Sequence, residues 1–204
     1  MSQITHGIRS VLSLPIVYSF FQKLMGANNV RAKLVTEIIK PKNGMYVLDI
    51  GCGPAEILDF LGNVNYWGFD ISEAYINQAK AHYGKRAKFY CKYFSNQDLN
   101  ILKKVDVVIM IGVLHHLNDS EVFDLLNTIY DVLKIDGRLI TLDACYIPNQ
   151  NPIARYIISK DRGQNVRKVE DYTNLMKSKF NQIDTTIRHQ TWIPYTHCCM
   201  VSTK

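Results

Sequence analysis

The chain has 204 residues, of which 47% are hydrophobic and 21% charged, a composition that excludes disordered, collagen-like and disulfide-scaffold classes and leaves no room for a second full-sized domain. Its 24 Lys and Arg against 18 Asp and Glu give a net charge of +6; the basic residues are scattered, which favours anionic partners without marking a nucleic-acid face. Five cysteines at positions 52, 91, 145, 198 and 199 form no C-x-x-C pair, a pattern that argues against structural zinc and disulfides and fits reduced thiols in the cytoplasm.

Residues 1–40 are expected to be helical. The stretch from Val11 to Phe21 contains Ser13, Pro15 and Ser19, too short and polar for a membrane span and a poor signal peptide. Leu12, Ile16, Phe20 and Leu24 recur every four residues, forming one apolar stripe that packs on a core or, alternatively, closes as a lid. A second helix is predicted from Asn29 to Lys40, with Asn28 or Asn29 as N-cap and Pro41 as terminator. Beyond it, β-rich runs alternate with helical ones. Strands are predicted at Tyr46–Ile50, Tyr66–Asp70, Lys88–Lys92, Asp106–Ile111, Arg138–Asp143, Asp184–His189 and Cys198–Ser202. Helices are predicted at Ala55–Leu61, Glu73–Tyr83, Ser120–Leu133 and Val169–Lys179. The pattern implies a single α/β domain over residues 1–204, a doubly wound, mostly parallel sheet with helices on both faces. Residues 146–169 read as an insertion after the fifth strand.

The segment from Val47 to Ala55 carries the chemistry: a buried strand runs into Gly51-Cys52-Gly53 and then into a helix. Glycines there let the backbone approach a ligand, and ligands of open α/β sheets bind beyond the carboxyl ends of the strands. A dinucleotide site would carry a third glycine where this chain has Glu56, whose carboxylate would repel a pyrophosphate. Asp49 adds negative charge that suits an ammonium or sulfonium group. Asp70, 21 residues after Asp49, ends the second strand where a carboxylate accepts both hydroxyls of a ribose. A ribose joined to a cationic group describes S-adenosylmethionine.

Together, Val47–Ala55 with Asp70, Asp106–Met110 with Gly112–Leu117, and Leu133–Ile140 resemble motifs of the class I S-adenosylmethionine-dependent methyltransferases. The resemblance covers roughly residues 30–145. It implies a Rossmann-like sheet of seven strands with an antiparallel last strand. It also implies a cofactor site of Asp49, Gly51, Cys52, Gly53, Asp70, Ile71, Phe94, Ile111 and Gly112. Two positions depart from the family pattern. Ala55 stands where a third glycine is common. The segment after the third strand leaves Tyr93, Phe94, Asn96 and Asp98 as candidates for the adenine contact.

On the acceptor side, His115 and His116 follow the fourth strand, where a histidine either acts as general base or holds the loop. The insertion brings Arg155, Arg162 and Arg167, whose guanidinium forks suit an anionic acceptor; a solvated charged surface is the alternative. Tyr195, His197 and Trp192 are candidates for the same mouth. The leading expectation is methyl transfer to a small or lipid-like acceptor, with an anionic one as a candidate and no metal. An RNA methyltransferase and a non-catalytic cofactor-binding scaffold are the alternatives. Against RNA stand the lack of a basic stripe and of an Asn-Pro-Pro-Tyr-type tetrapeptide after the fourth strand.

Overall fold

The structure, a computed structural model, describes residues 27–161, 163–190 and 194–204. Among them, eight strands form one sheet: β1 (Tyr46–Ile50), β2 (Asn65–Asp70), β3 (Ala87–Cys91), β4 (Val105–Ile111), β5 (Leu133–Tyr146), β6 (Arg167–Lys168), β7 (Gln182–Gln190) and β8 (Tyr195–Thr203). Their order is β3-β2-β1-β4-β5-β8-β7, with the two-residue β6 pairing beside β5. β1 through β5 pair in parallel, whereas β8 runs antiparallel to both β5 and β7. The expected antiparallel last strand is therefore present, and β6, inside the insertion, is the addition to the expected seven.

Side chains of the central strands alternate between two apolar layers, because a strand points successive residues to opposite faces. Val47, Val107 and Ile109 pack with Leu34, Leu58 and Ile76 on one face. Leu48, Val108 and Met110 pack with Leu126, Ile129, Tyr172 and Met176 on the other. Burial on both faces explains why these strands read as continuous Val/Ile/Leu runs. The first layer is covered by α1 (Ala27–Lys33), α2 (Leu58–Leu61) and α3 (Glu73–Tyr83); the second by α4 (Asp119–Val132) and α6 (Val169–Lys177). A further helix, α5 (Pro152–Ser159), lies in the insertion.

Several predicted boundaries shift for local reasons. Among the described residues α1 already covers Ala27 and Asn28, and it continues as a wider π-helical turn over Leu34–Ile39. Asn28 therefore sits inside it and accepts from Arg31 instead of capping. Lys40, left-handed at φ 49, ends the turn before Pro41. α2 starts at Leu58, not Ala55, because Ala55 itself is left-handed at φ 59. β5 extends well beyond Arg138–Asp143: Leu133 pairs with Val105, the next residues bulge out through Asp136 at φ 61, and pairing resumes at Arg138. The stripe Leu12, Ile16, Phe20 and Leu24, together with Arg162 and Trp192, lies outside the described residues.

Candidate active site

The strand order reverses between β1 and β4, and in such sheets a crevice opens at that point beyond the strand ends. Gly51 follows β1 with φ 74, and Gly112 follows β4 with φ 70. A Cβ on Gly51 would lie 2.5 Å from Val113 Cγ2, so this glycine is required by close packing as well as by conformation. The amides of Gly51 and Cys52 both donate to the Phe69 carbonyl, at 2.7 and 3.0 Å, which ties the turn across β2. The Gly53 amide donates to Asp70 Oδ2 at 2.9 Å, and the Ser72 amide donates to Asp70 Oδ1 at 2.8 Å. Burial raises the Asp70 pKa, and these amides work against the rise.

The cleft so formed has a volume of about 380 Å3 and is lined by every residue of the expected cofactor set: Asp49, Gly51, Cys52, Gly53, Asp70, Ile71, Phe94, Ile111 and Gly112. Phe94 is held edge-on to Phe69 at 5.2 Å. Ile71 and Tyr93 line the cleft although 43% and 57% exposed, apolar surface offered to whatever enters. Of the candidates for an adenine contact, Tyr93 and Phe94 line the cleft, whereas Asn96 accepts from Thr128 and buried Asp98 accepts from the Ser95 amide and pairs with Lys92. Arg31, Ser72 and Tyr75 also line it and were not legible as site residues. They lie on α1 or at the start of α3, outside the glycine motif.

The negative rim inferred from the sequence needs correction. Glu56 pairs with Arg31 at 2.8 Å, so its charge is answered locally. Asp49, only 3% exposed, accepts from the Tyr66 hydroxyl at 2.5 Å. Burial, with a smaller push from Asp70 and partial relief from Tyr66, lifts its pKa to about 7. Burial thus favours the neutral form of Asp49, whereas the Gly53 and Ser72 amides favour charge on Asp70.

The two histidines occupy different surroundings because a 3-10 turn, Leu114–His116, follows β4. His116 lines the cleft. His115 is buried, with Nδ1 2.8 Å from Asp143 Oδ1 and Nε2 3.3 Å from Asp161 Oδ1. Burial opposes its charge, but hydrogen bonds and charge from Asp143 and Asp161 outweigh that and raise its pKa to about 9. The same contacts hold the Asp161 carboxyl well below the usual range despite its burial. His197 goes the other way, pushed down by burial to about 4.

The two described arginines of the insertion, Arg155 and Arg167, do not line the cleft. Arg167 donates to the carbonyls of Leu114, Leu117 and Asn165, pairs with Asp119 at 2.7 Å and lies over the Tyr172 ring. All three of its nitrogens are engaged, Nη1 and Nη2 on carbonyls that the loop leaves for a guanidinium fork and Nε on Asp119. Arg155 is exposed and stacks 5.2 Å from the Tyr146 ring. Tyr195 donates to Asp161 Oδ2 at 2.8 Å, which joins β8 to the insertion.

Residues 48–139 match a family model described as a methyltransferase domain. The ubiquinone biosynthesis O-methyltransferase of Pelagibacter ubique (strain HTCC1062) is 32% identical over 50% of this chain and 48% of its own length. The chain thus spans about half the length of the curated relative it matches. Among solved structures, a SAM-dependent methyltransferase from Archaeoglobus fulgidus superposes with a TM-score of 0.70 at 19% identity, covering 92% of this chain and 99% of that one. Human N-acetylserotonin methyltransferase, in complex with SAM, gives 0.67 at 20% identity over 91% of this chain and 55% of that one. Across residues 48–139 the chain is thus similar to methyltransferase domains, and its fold is that of the S-adenosylmethionine-dependent methyltransferase structures on which it superposes.

Proposed function

We propose that this chain transfers the methyl group of S-adenosylmethionine to a hydroxyl of a small-molecule acceptor. The observation that carries the reading is the convergence of the glycine turn, Asp70, Ile71, Phe94 and Gly112 on one cleft, within the size range of small-ligand sites. The cleft fits the cofactor. A Cβ on Gly53 would meet no atom within 4 Å, so the turn leaves open space above its backbone. Asp70 would accept the ribose hydroxyls, Ile71, Tyr93 and Phe94 would flank the base, and Asp49 with Arg31 would face the amino-acid end. When bound, the cofactor supplies a methyl group on a positively charged sulfur. The residues of this chain bind and orient it, exclude water and place an acceptor oxygen in line, which is where most of the rate gain arises.

An oxygen acceptor is supported by the O-methyltransferase half-matched by this chain. An anionic acceptor keeps one described arginine of the insertion, Arg155, since Arg167 is committed to backbone carbonyls; a neutral or weakly acidic hydroxyl therefore suits the mouth better. No described helix is long and apolar enough to cross a membrane. Calorimetry with S-adenosylhomocysteine and with NAD tests the cofactor: tighter binding of the homocysteine compound is expected, and tighter binding of NAD would sink the reading. Incubating a metabolite extract with cofactor labelled at the methyl group then identifies the acceptor.

A further inference from the structure

His115, His116 and Asp161 each offer one ligand atom, and these atoms lie within 4.8 Å of one another. The three come from two separate segments, the turn after β4 and the stretch of the insertion that follows α5, and they meet beside the cleft that His116 lines. We propose that they form a binding site for a divalent transition-metal ion. Two imidazoles and one carboxylate are a donor set suited to zinc, iron(II), cobalt(II) or manganese(II). Ligands about 2.1 Å from an ion are at most about 4.2 Å apart, so a small rotation of His116 closes the set.

The surroundings are those of an oriented site. Metal-bound histidine usually has its other nitrogen held by a carboxylate or carbonyl, and Asp143 Oδ1 sits 2.8 Å from His115 Nδ1, directing Nε2 at Asp161. Tyr195 donates to Asp161 Oδ2, and the Gly163 amide donates to Oδ1, which fixes the carboxylate with Oδ1 toward the ring. Any Cβ on Gly163 would lie 2.1 Å from His115 Cδ2, and the Asn165 amide donates to the His115 carbonyl, so the insertion is fitted closely onto this histidine.

Three protein ligands leave at least one coordination position open, the mark of a site that acts on a bound molecule. Because His116 lines the cleft, an ion held by it would lie at the cleft wall. An ion there would hold an acceptor hydroxyl and lower its pKa; this role rests on the proposed methyl transfer, whereas binding of the ion does not. Without an ion, a doubly protonated His115 would make the same contacts as an ion pair, and the two cases separate experimentally.

Untagged full-length protein is stripped with a chelator, dialysed and titrated with cobalt(II) alone, following visible absorption and elemental content. One cobalt per chain is expected, displaceable by zinc. His116→Ala and Asp161→Asn should weaken binding at least 100-fold, and Asp143→Asn by about 10–100-fold. Cys91→Ser, which alters an exposed thiol elsewhere, should leave it unchanged. Equal binding by the parent and His116→Ala, or no binding by the parent, overturns the proposal. Thermal melting without metal shows whether each variant folds; if Asp161→Asn does not, His116→Ala decides. Calorimetry with S-adenosylhomocysteine on the same stripped protein keeps the readings apart: cofactor binding without cobalt binding removes only the metal site, and the converse removes only the transferase.

Discussion

The Gly53 amide donates to Asp70 Oδ2 at 2.9 Å, so the carboxylate suited to a ribose also holds the glycine turn in shape. Replacing Asp70 by Ala removes a ligand contact and a loop anchor together. S-adenosylhomocysteine binding is expected to weaken by roughly 1.5–3 kcal/mol, the range for hydrogen bonds to a charged group. Calorimetry on the folded variant checks it, and unchanged affinity would take Asp70 out of the site.

The two glycines of the turn should fail differently. Gly51→Ala meets Val113 and a positive φ and is expected to lower stability by roughly 2–4 kcal/mol. Gly53→Ala has the strain without the clash, costing about 1–2 kcal/mol, but its methyl group enters the cleft and should weaken cofactor binding at least about tenfold. Thermal melts and calorimetry on both variants separate the two effects.

Asp49 makes stability depend on pH. A carboxyl whose pKa rises from 3.8 to about 7 on folding favours the native state while protonated and loses that advantage as pH climbs through this window. Asp49→Asn has no proton to lose, and its side-chain oxygen still accepts from Tyr66. Relative to the parent, the variant should therefore gain stability between pH 4 and 7, on the order of 3–4 kcal/mol, then level off. Denaturant unfolding at pH 5 and pH 8 measures the difference; equal gaps at both would refute it.

Arg167 and Arg155 should separate structure from surface. Arg167→Ala removes the guanidinium donor from the Leu117 carbonyl and the ion pair with Asp119 and is expected to cost about 2–3 kcal/mol. Arg155→Ala, exposed on Tyr146, should stay within about 0.5 kcal/mol. Melting temperatures decide, and similar losses would mean the two share a role.

Much of this architecture was written in short-range patterns. β1 and α3 begin and end at the predicted residues, and the residues expected around the cofactor line one cleft beside the turn in which Gly51 and Gly53 have positive φ. What sequence could not resolve was set by distant partners. Adjacent His115 and His116 look alike until a 3-10 turn sends one to buried carboxylates and the other to the cleft. The positive charge of Arg167 suggests an anion site, yet its guanidinium is consumed by a loop about 50 residues earlier, an outcome no local pattern encodes. Arg31 lines the cleft and pairs with Glu56 just after the glycine turn, a relation visible only after folding.

The position of β8 has a consequence for assembly. β7 joins the sheet through β8 alone, and β8 pairs with β5 by matching Arg138 to Thr203. The open edge of β5 therefore waits for a hairpin made from far along the chain, a non-local closure of the kind that folds slowly. The glycine turn needs only β1, β2 and β4, whereas Asp161 gains its Tyr195 partner only once β8 is in place. The half of the cleft that would take the cofactor can thus form while the Asp161–Tyr195 contact is still unmade, so weakening the β7–β8 hairpin would loosen the insertion before the glycine turn.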